Sequence, residues 1–263
     1  MPLPTRSYII ACTPRSGSHL LADGLTSTGI AGYPVERFPR FATGTTFTAA
    51  QRDALVFEPP PESSYDPAQD AEYIARILEE GSSANGVFGV SIHWFQVNDA
   101  VRRLRSYLNT SEGGAHDVLS RSFPGLSYIW LRRRDKVAQA VSWYKAIQTG
   151  RYVKTREARG ASQRAAPEIA FDYSAIQTYW TALRSSEKSW ERFFATHGVE
   201  PLVMDYESLC VDYEISVRHA LAFLGLSGAG ISVKTSRHEK AADAQSFEWT
   251  DRFKALQAAS RFS

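Results

Sequence analysis

The chain carries Thr13-Pro14-Arg15-Ser16-Gly17-Ser18-His19 directly between an apolar run and an amphipathic stretch. Arg15 offers a planar fork for paired anionic oxygens, and Ser16 and Ser18 offer hydroxyl donors. Gly17 lets the backbone come close to a ligand and adopt a positive φ. A strand leading into a turn and then a helix aims N–H groups and a partial positive charge at one point. The combination reads as a cradle for a phosphate or sulfate group, against the plainer reading of a β–α turn with a serine cap. It is not an ATP-binding Walker loop. Ser18-His19 follows Gly17 where a Lys would be needed, and Ala11-Cys12-Thr13-Pro14 supplies no first Gly. The loop suits a 5′-phosphate without a magnesium-bound triphosphate tail.

A second basic cluster, Arg132-Arg133-Arg134, follows the apolar run Leu126–Leu131, with Asp135 placed to cap the next helix and Ser142 two turns along it. Ligands of parallel α/β sheets bind outside the carboxyl ends of the strands. Two anion sites for one nucleotide are therefore expected on one edge: a 5′ site at Arg15–Ser18, and a 3′ site at Arg133 or Arg134 plus Ser142. The alternative is a solvated basic turn, with Ser142 bonding back into its own helix.

The elements that would position these groups are short apolar runs that do not alternate: Tyr8–Cys12, Asn85–Phe95, Leu126–Leu131 and Glu200–Tyr206. Such runs suit strands buried on both faces. Helical patterns separate them. Lys136–Gln148 puts Val137, Ala140, Val141, Tyr144 and Ile147 on one stripe, Tyr173–Gly198 ends in a capping glycine, and Glu214–Leu226 forms a third. The alternation predicts an α/β fold, P-loop-like and three-layered, with a central parallel sheet flanked by helices. Two stretches break the rhythm. Phe57–Asp70 is rich in Pro and Ser and reads as a surface loop. Val153–Glu168 is basic and rich in small residues and reads as a linker or a lid. Neither separates two cores, so residues 1–263 are expected to form a single domain.

Composition bounds the function. With 263 residues, 43% hydrophobic and 22% charged, there is enough apolar material for a sizeable core. A net charge of +2 with clustered arginines argues against a nucleic-acid binder and for a small anionic ligand. Cys12 and Cys210 give no disulfide framework, and Cys12, ending a strand, reads as a small buried hydrophobe. No apolar run approaches the roughly 18 residues of a membrane span, and the first residues lack a secretory pattern. A cytoplasmic protein is expected, and no His/Cys/Asp spacing suggests a metal site.

Taken together, these stretches resemble the PAPS-dependent sulfotransferases, and more narrowly the bacterial trehalose 2-sulfotransferase family. The resemblance runs through "TPRSGSHLL", "GIAGYPVERF", "NGVFGVSIHWFQ", "RRRDKVAQAVSWYKAIQTGRY", "WERFF…VEPLVMDYESL" and "KAADAQSFEWTDRF". It implies that Arg15, Ser16, Gly17 and Ser18 hold the 5′-phosphosulfate of 3′-phosphoadenosine-5′-phosphosulfate (PAPS). Arg133, with Arg134 as the alternative, and Ser142 would hold the 3′-phosphate, with Lys240 near the nucleotide. It implies Glu36 as the catalytic base, no metal, a small-molecule acceptor and a homodimer. Departures from the family are His19 in place of a threonine, where imidazole still donates to phosphate, and Ser91 in place of a lysine.

Read on its own, Glu36 is either a surface carboxylate beside Arg37 or a base partly desolvated by Val35 and Phe38. The chemistry suits the second reading, since an attacking hydroxyl must lose its proton, while Arg15 and the loop amides stabilise charge on the leaving oxygens. His93 shares a strand face with Ser91 and is placed to compensate for the missing lysine, or is a satisfied histidine at a strand end. Pro14 and Tyr33 stand where the family has polar or acidic residues near its sugar, which argues against trehalose itself. Tyr33, Phe38, Phe41, Trp94 and Phe95 could line an aromatic-rich acceptor pocket, so that a sugar, lipid-linked or natural-product hydroxyl all fit. The competing readings are a P-loop-type kinase or NTPase, and a non-catalytic nucleotide-binding protein.

Overall fold

A computed structural model describes residues 4–38, 66–150, 168–228, 230–236 and 243–260. Four parallel strands form its centre: β1 (Arg6–Cys12), β2 (Val87–His93), β3 (Leu126–Arg132) and β4 (Leu202–Asp205), in the order β2-β1-β3-β4. Tyr8 to Cys12 are fully buried, as a run of non-alternating apolar residues requires. The strand pairing aligns Cys12 with His93 and Ala11 with Trp130, so the carboxyl ends of the three strands open on one edge.

Helices cover both faces. On one face Ile9, Ala11, Phe88, Val90, Ile92 and Tyr128 pack under α2 (Pro67–Gly81), α3 (Val97–Leu108), α4 (Ala115–Ser122) and the second half of α6 (Tyr173–His197). On the other, Tyr8, Ile10, Cys12, Ile129 and Leu131 pack under α1 (Ser18–Ser27), α7 (Tyr206–Val211) and α8 (Tyr213–Phe223). A third apolar cluster joins α5 (Lys136–Thr149), α6 and α9 (Ala244–Ala259). Here the expected stripe of Val137, Ala140, Val141 and Tyr144 meets Ile176, Tyr179, Trp249 and Phe253. The three-layer α/β architecture with a parallel sheet is thus the one the sequence predicts.

The differences lie at element ends. The run Asn85–Phe95 is a strand only over Val87–His93. Gly86 turns at φ 78°, and the Gln96 side chain accepts a hydrogen bond from the His93 N–H at 2.7 Å, so Trp94–Gln96 becomes a 3₁₀ turn. The stretch read as a loop to Asp70 already ends as helix. Asp66 caps the N–H groups of Ala68 and Gln69, and Pro67 takes the first helical position, where its missing N–H costs nothing. The basic stretch from Val153 lies outside the described residues, apart from Glu168. Asp135 and Gly198 cap α5 and α6 as expected.

Candidate active site

The β1–α1 loop is built on two left-handed residues, Arg15 at φ 63° and Gly17 at φ 95°, the latter forming the N-cap of α1. A β-carbon on Gly17 would stand 2.6 Å from Tyr206 Cδ2, so only glycine lets the loop pass the ring. The loop is held from below by groups that the sequence did not single out. Trp190 Nε1–H donates to the Cys12 carbonyl at 3.0 Å, and the fully buried Gln139 side chain donates to Thr13 Oγ1 at 2.9 Å and to the Pro14 carbonyl at 2.7 Å.

The second cluster meets this loop directly. Arg15 Nε donates to Ser142 Oγ at 3.0 Å, joining residues 127 positions apart. Arg133 Nη1 donates to the Arg15 carbonyl at 3.3 Å, and its guanidinium stacks over the Tyr206 ring at 4.6 Å. Arg134 turns away: its side chain is 65% exposed and lies 3.5 Å from Glu207, whose carboxylate also accepts the N–H groups of Arg134 and Asp135. Of the two arginines that the sequence leaves open, Arg133 is the one brought to the loop. Lys240 lies outside the described residues.

Two buried donors at the loop have no hydrogen-bond partner among the described residues, the Ser16 hydroxyl and Arg133 Nε–H. Buried donors without partners are costly unless a ligand satisfies them. With the first-turn N–H groups of α1, this donor set suits phosphate or sulfate oxygens. Among the described residues no group of three or more His, Cys, Asp or Glu side chains is arranged to hold a metal ion. No helix there is long and apolar enough to cross a membrane.

Glu36 reaches the same edge by a short route. Ser91 N–H donates to the Val35 carbonyl at 3.2 Å and Ser91 Oγ–H to the Pro34 carbonyl at 2.7 Å, so residues 34–36 lie alongside β2 and Glu36 bridges to Ser91. Its carboxylate Oε1 lies 2.7 Å from His93 Nε2 and 3.8 Å from His19 Nε2. Val35, expected to shield it, is instead 42% exposed; the environment of Glu36 is set by imidazoles rather than by apolar neighbours. Behind it, His93 is 1% exposed and its Nδ1 faces Cys12 Sγ at 3.3 Å. Burial disfavours a charged ring here, but Cys12 and Glu36 outweigh it and raise the His93 pKa to about 10.

The aromatic residues divide. Tyr33 is 40% exposed, and Phe95 stacks on His93 at 5.3 Å. Trp94 is half-buried, edge-on against Trp190 at 5.1 Å. Phe38 is a correction: its ring is 2% exposed, in the core against Tyr73, and no acceptor reaches it without displacing the core. Its backbone carbonyl accepts from Gln96 at 2.6 Å instead. Phe41 lies outside the described residues.

The sequence profile of the Stf0 sulphotransferase family matches residues 7–256. The chain is 30% identical to a trehalose 2-sulfotransferase of Mycolicibacterium smegmatis, over 94% of each chain. It is 27% identical to a trehalose 2-sulfotransferase of Mycobacterium tuberculosis, over 97% of each. A solved sulfotransferase from Alicyclobacillus acidocaldarius aligns with 98% of this chain and 94% of its own, at a TM-score of 0.47 and 14% identity.

Proposed function

The chain belongs to the Stf0 sulphotransferase family, and on that premise we propose that it moves the sulfuryl group of PAPS to a hydroxyl of a small acceptor. The observation that carries this reading is the junction of the two anion clusters, Arg15 to Ser142 at 3.0 Å and Arg133 to the Arg15 carbonyl at 3.3 Å. The loop after β1 and the helix after β3 thereby lie together at one edge of the sheet, where a single nucleotide with 5′ and 3′ phosphates can meet both. PAPS supplies the activated sulfuryl group. Arg15, Ser16, Gly17, Ser18 and His19 hold its 5′ end; Arg133 and Ser142 hold the 3′-phosphate, with Lys240 a further candidate.

The acceptor oxygen forms a bond to sulfur as the bond from sulfur to the 5′-phosphate oxygen breaks. The leaving bisphosphate keeps the electron pair, and the acceptor proton passes to Glu36. Arg15 and the loop amides are placed where charge grows on the leaving oxygens, so catalysis rests on alignment and charge stabilisation. The trehalose 2-sulfotransferases to which the chain is similar point to a sugar hydroxyl. Tyr33 and Phe95 offer ring contact in place of paired donors and acceptors, which extends the reading to lipid-linked and natural-product alcohols. A single domain over the whole chain, a homodimer and a cytoplasmic setting complete the proposal. The last is supported by two free cysteines, and the dimer is tested by sedimentation at several concentrations.

The test is sulfuryl transfer from radiolabelled PAPS to a panel of alcohols that includes trehalose, with Glu36→Gln beside the native protein. Turnover should fall about 10²- to 10⁴-fold in the variant, the usual share of a general base, with nucleotide affinity nearly unchanged. Full turnover in Glu36→Gln removes the carboxylate from the mechanism.

A further inference from the structure

We propose that Cys12, His93 and Glu36 form a relay in which His93 is a positioning residue held as an imidazolium, fixing the carboxylate of Glu36 from behind. The inference rests on the reading of Glu36 as the base. The strand register carries it. Cys12 and His93 are partners across β1 and β2, so the sulfur and the ring meet on the face of the sheet that α1 covers. The ring is 1% exposed and the sulfur fully buried, so neither exchanges its partners with water.

The order of donors and acceptors that uses both contacts of the sulfur is the following. Nε2 faces only a carboxylate oxygen, at 2.7 Å, and must carry a hydrogen. Cys12 Sγ is also 3.6 Å from the Ile92 carbonyl, an acceptor that takes the thiol hydrogen. The sulfur lone pair is then left to accept from Nδ1–H at 3.3 Å. The chain runs from the Nδ1–H of His93 to sulfur and from the thiol to the Ile92 carbonyl, while Nε2–H holds Glu36. Both ring nitrogens act as donors, which only imidazolium allows.

The titratable groups around the ring are Cys12 from β1 and Glu36 from the segment beside β2, with His19 of α1 on the outer side of the carboxylate. Phe95 from the following turn covers one ring face, and Gln96 takes the His93 N–H. Ser91, on the same strand face, is committed to the Pro34 carbonyl. His93 is therefore the cation that the strand presents to Glu36. Because it is enclosed, it acts on the reaction through Glu36 and not by touching the acceptor.

The test combines nitrogen NMR of ¹⁵N-histidine-labelled native protein with kinetics of His93→Gln, Cys12→Ser and Cys12→Ala. His93, assigned by its loss in His93→Gln, should remain doubly protonated at pH 8. A neutral His93 ring at pH 8 overturns the relay and leaves the base reading of Glu36 standing. His93→Gln should lower kcat about 10- to 100-fold, the range typical of groups that orient a reactive ligand, with bisphosphate affinity within about twofold. The acid limb of its kcat/KM profile should move to higher pH, because an opposite charge beside the carboxylate is gone. An unchanged kcat and profile would refute the positioning role. Cys12→Ser should keep more activity than Cys12→Ala, since a hydroxyl still accepts from Nδ1; equal activity of Cys12→Ala and native protein would remove the sulfur from the relay. Full turnover in Glu36→Gln is the distinct result that defeats the base reading itself.

Discussion

Replacing Gly17 with alanine tests the architecture of the anion loop at its tightest point. Gly17 sits at φ 95°, where an L side chain costs about 1–2 kcal/mol. Its new methyl carbon would stand 2.6 Å from Tyr206 Cδ2 and 3.3 Å from Cε2, whereas carbon atoms prefer about 3.5–4.0 Å. Relief therefore needs roughly 1 Å of movement by the loop or the ring. The ring can yield only by disturbing Arg133, which stacks on it at 4.6 Å. Gly17→Ala should thus cost about 2–5 kcal/mol in all, the sum of about 1–2 kcal/mol of backbone strain and about 1–3 kcal/mol of overpacking. It should also weaken binding of 3′-phosphoadenosine 5′-phosphate, because the displaced ring carries Arg133 with it. Urea denaturation gives the first quantity and calorimetric titration the second. The double variant Gly17→Ala/Tyr206→Ala separates the causes: the clash disappears and only the backbone cost remains, so the two substitutions should be non-additive. Native stability and affinity in Gly17→Ala would refute the close packing of loop and ring, and strict additivity in the double variant would refute the clash as the cause.

Arg133→Ala should weaken binding of the bisphosphate about 10- to 100-fold, as expected for a lost charged hydrogen bond, while Arg134→Ala should change it by less than about threefold; titration of both variants decides. Trp190→Phe removes the donor to the Cys12 carbonyl beneath the loop and should destabilise the protein by about 1–3 kcal/mol in urea denaturation. A histidine in the unfolded chain titrates near 6.5, and burial opposed by Cys12 and Glu36 raises His93 to about 10. The stability that its proton provides is then complete below about pH 6.5 and lost as pH rises towards about 10. The stability difference between native protein and His93→Gln should shrink over that window, and a difference independent of pH would contradict it.

The strands were legible because a parallel sheet covered on both faces demands unbroken apolar runs, and Tyr8–Cys12 and Leu126–Leu131 are such runs. Their ends were less legible, since a side chain such as Gln96 ends β2 by taking a backbone N–H that no local pattern announces. The first turn of α2 was hidden by its Pro-rich approach, although Asp66-Pro67 is itself a capping signal. At the site, the meeting of Arg15 and Ser142 followed from the rule that ligands gather at the carboxyl ends of parallel strands. The choice between Arg133 and Arg134 did not, because neighbouring residues leaving a strand point in different directions, and only Tyr206 and Glu207 on α7 show which way each goes. Gln139 and Cys12 were missed for a related reason. Gln139 lies on a helix read for its apolar stripe, and Cys12 reads as a small hydrophobe until the pairing of β1 with β2 sets His93 beside it. Phe38 reads as a pocket residue in the sequence but lies in the core, because aromatic residues serve cores and pockets alike and sequence spacing does not separate the two.

The central claim is that two anion sites, at Arg15–Ser18 and at Arg133 with Ser142, serve one bisphosphate nucleotide. Calorimetric titration of the native protein with 3′-phosphoadenosine 5′-phosphate, against 5′-AMP and ATP·Mg²⁺, tests it most directly. The bisphosphate should bind at least about tenfold more tightly than 5′-AMP, the loss of one charged contact, and ATP·Mg²⁺ should not displace it. Equal affinity for 5′-AMP, or preference for ATP·Mg²⁺, would rule out a paired site for one bisphosphate.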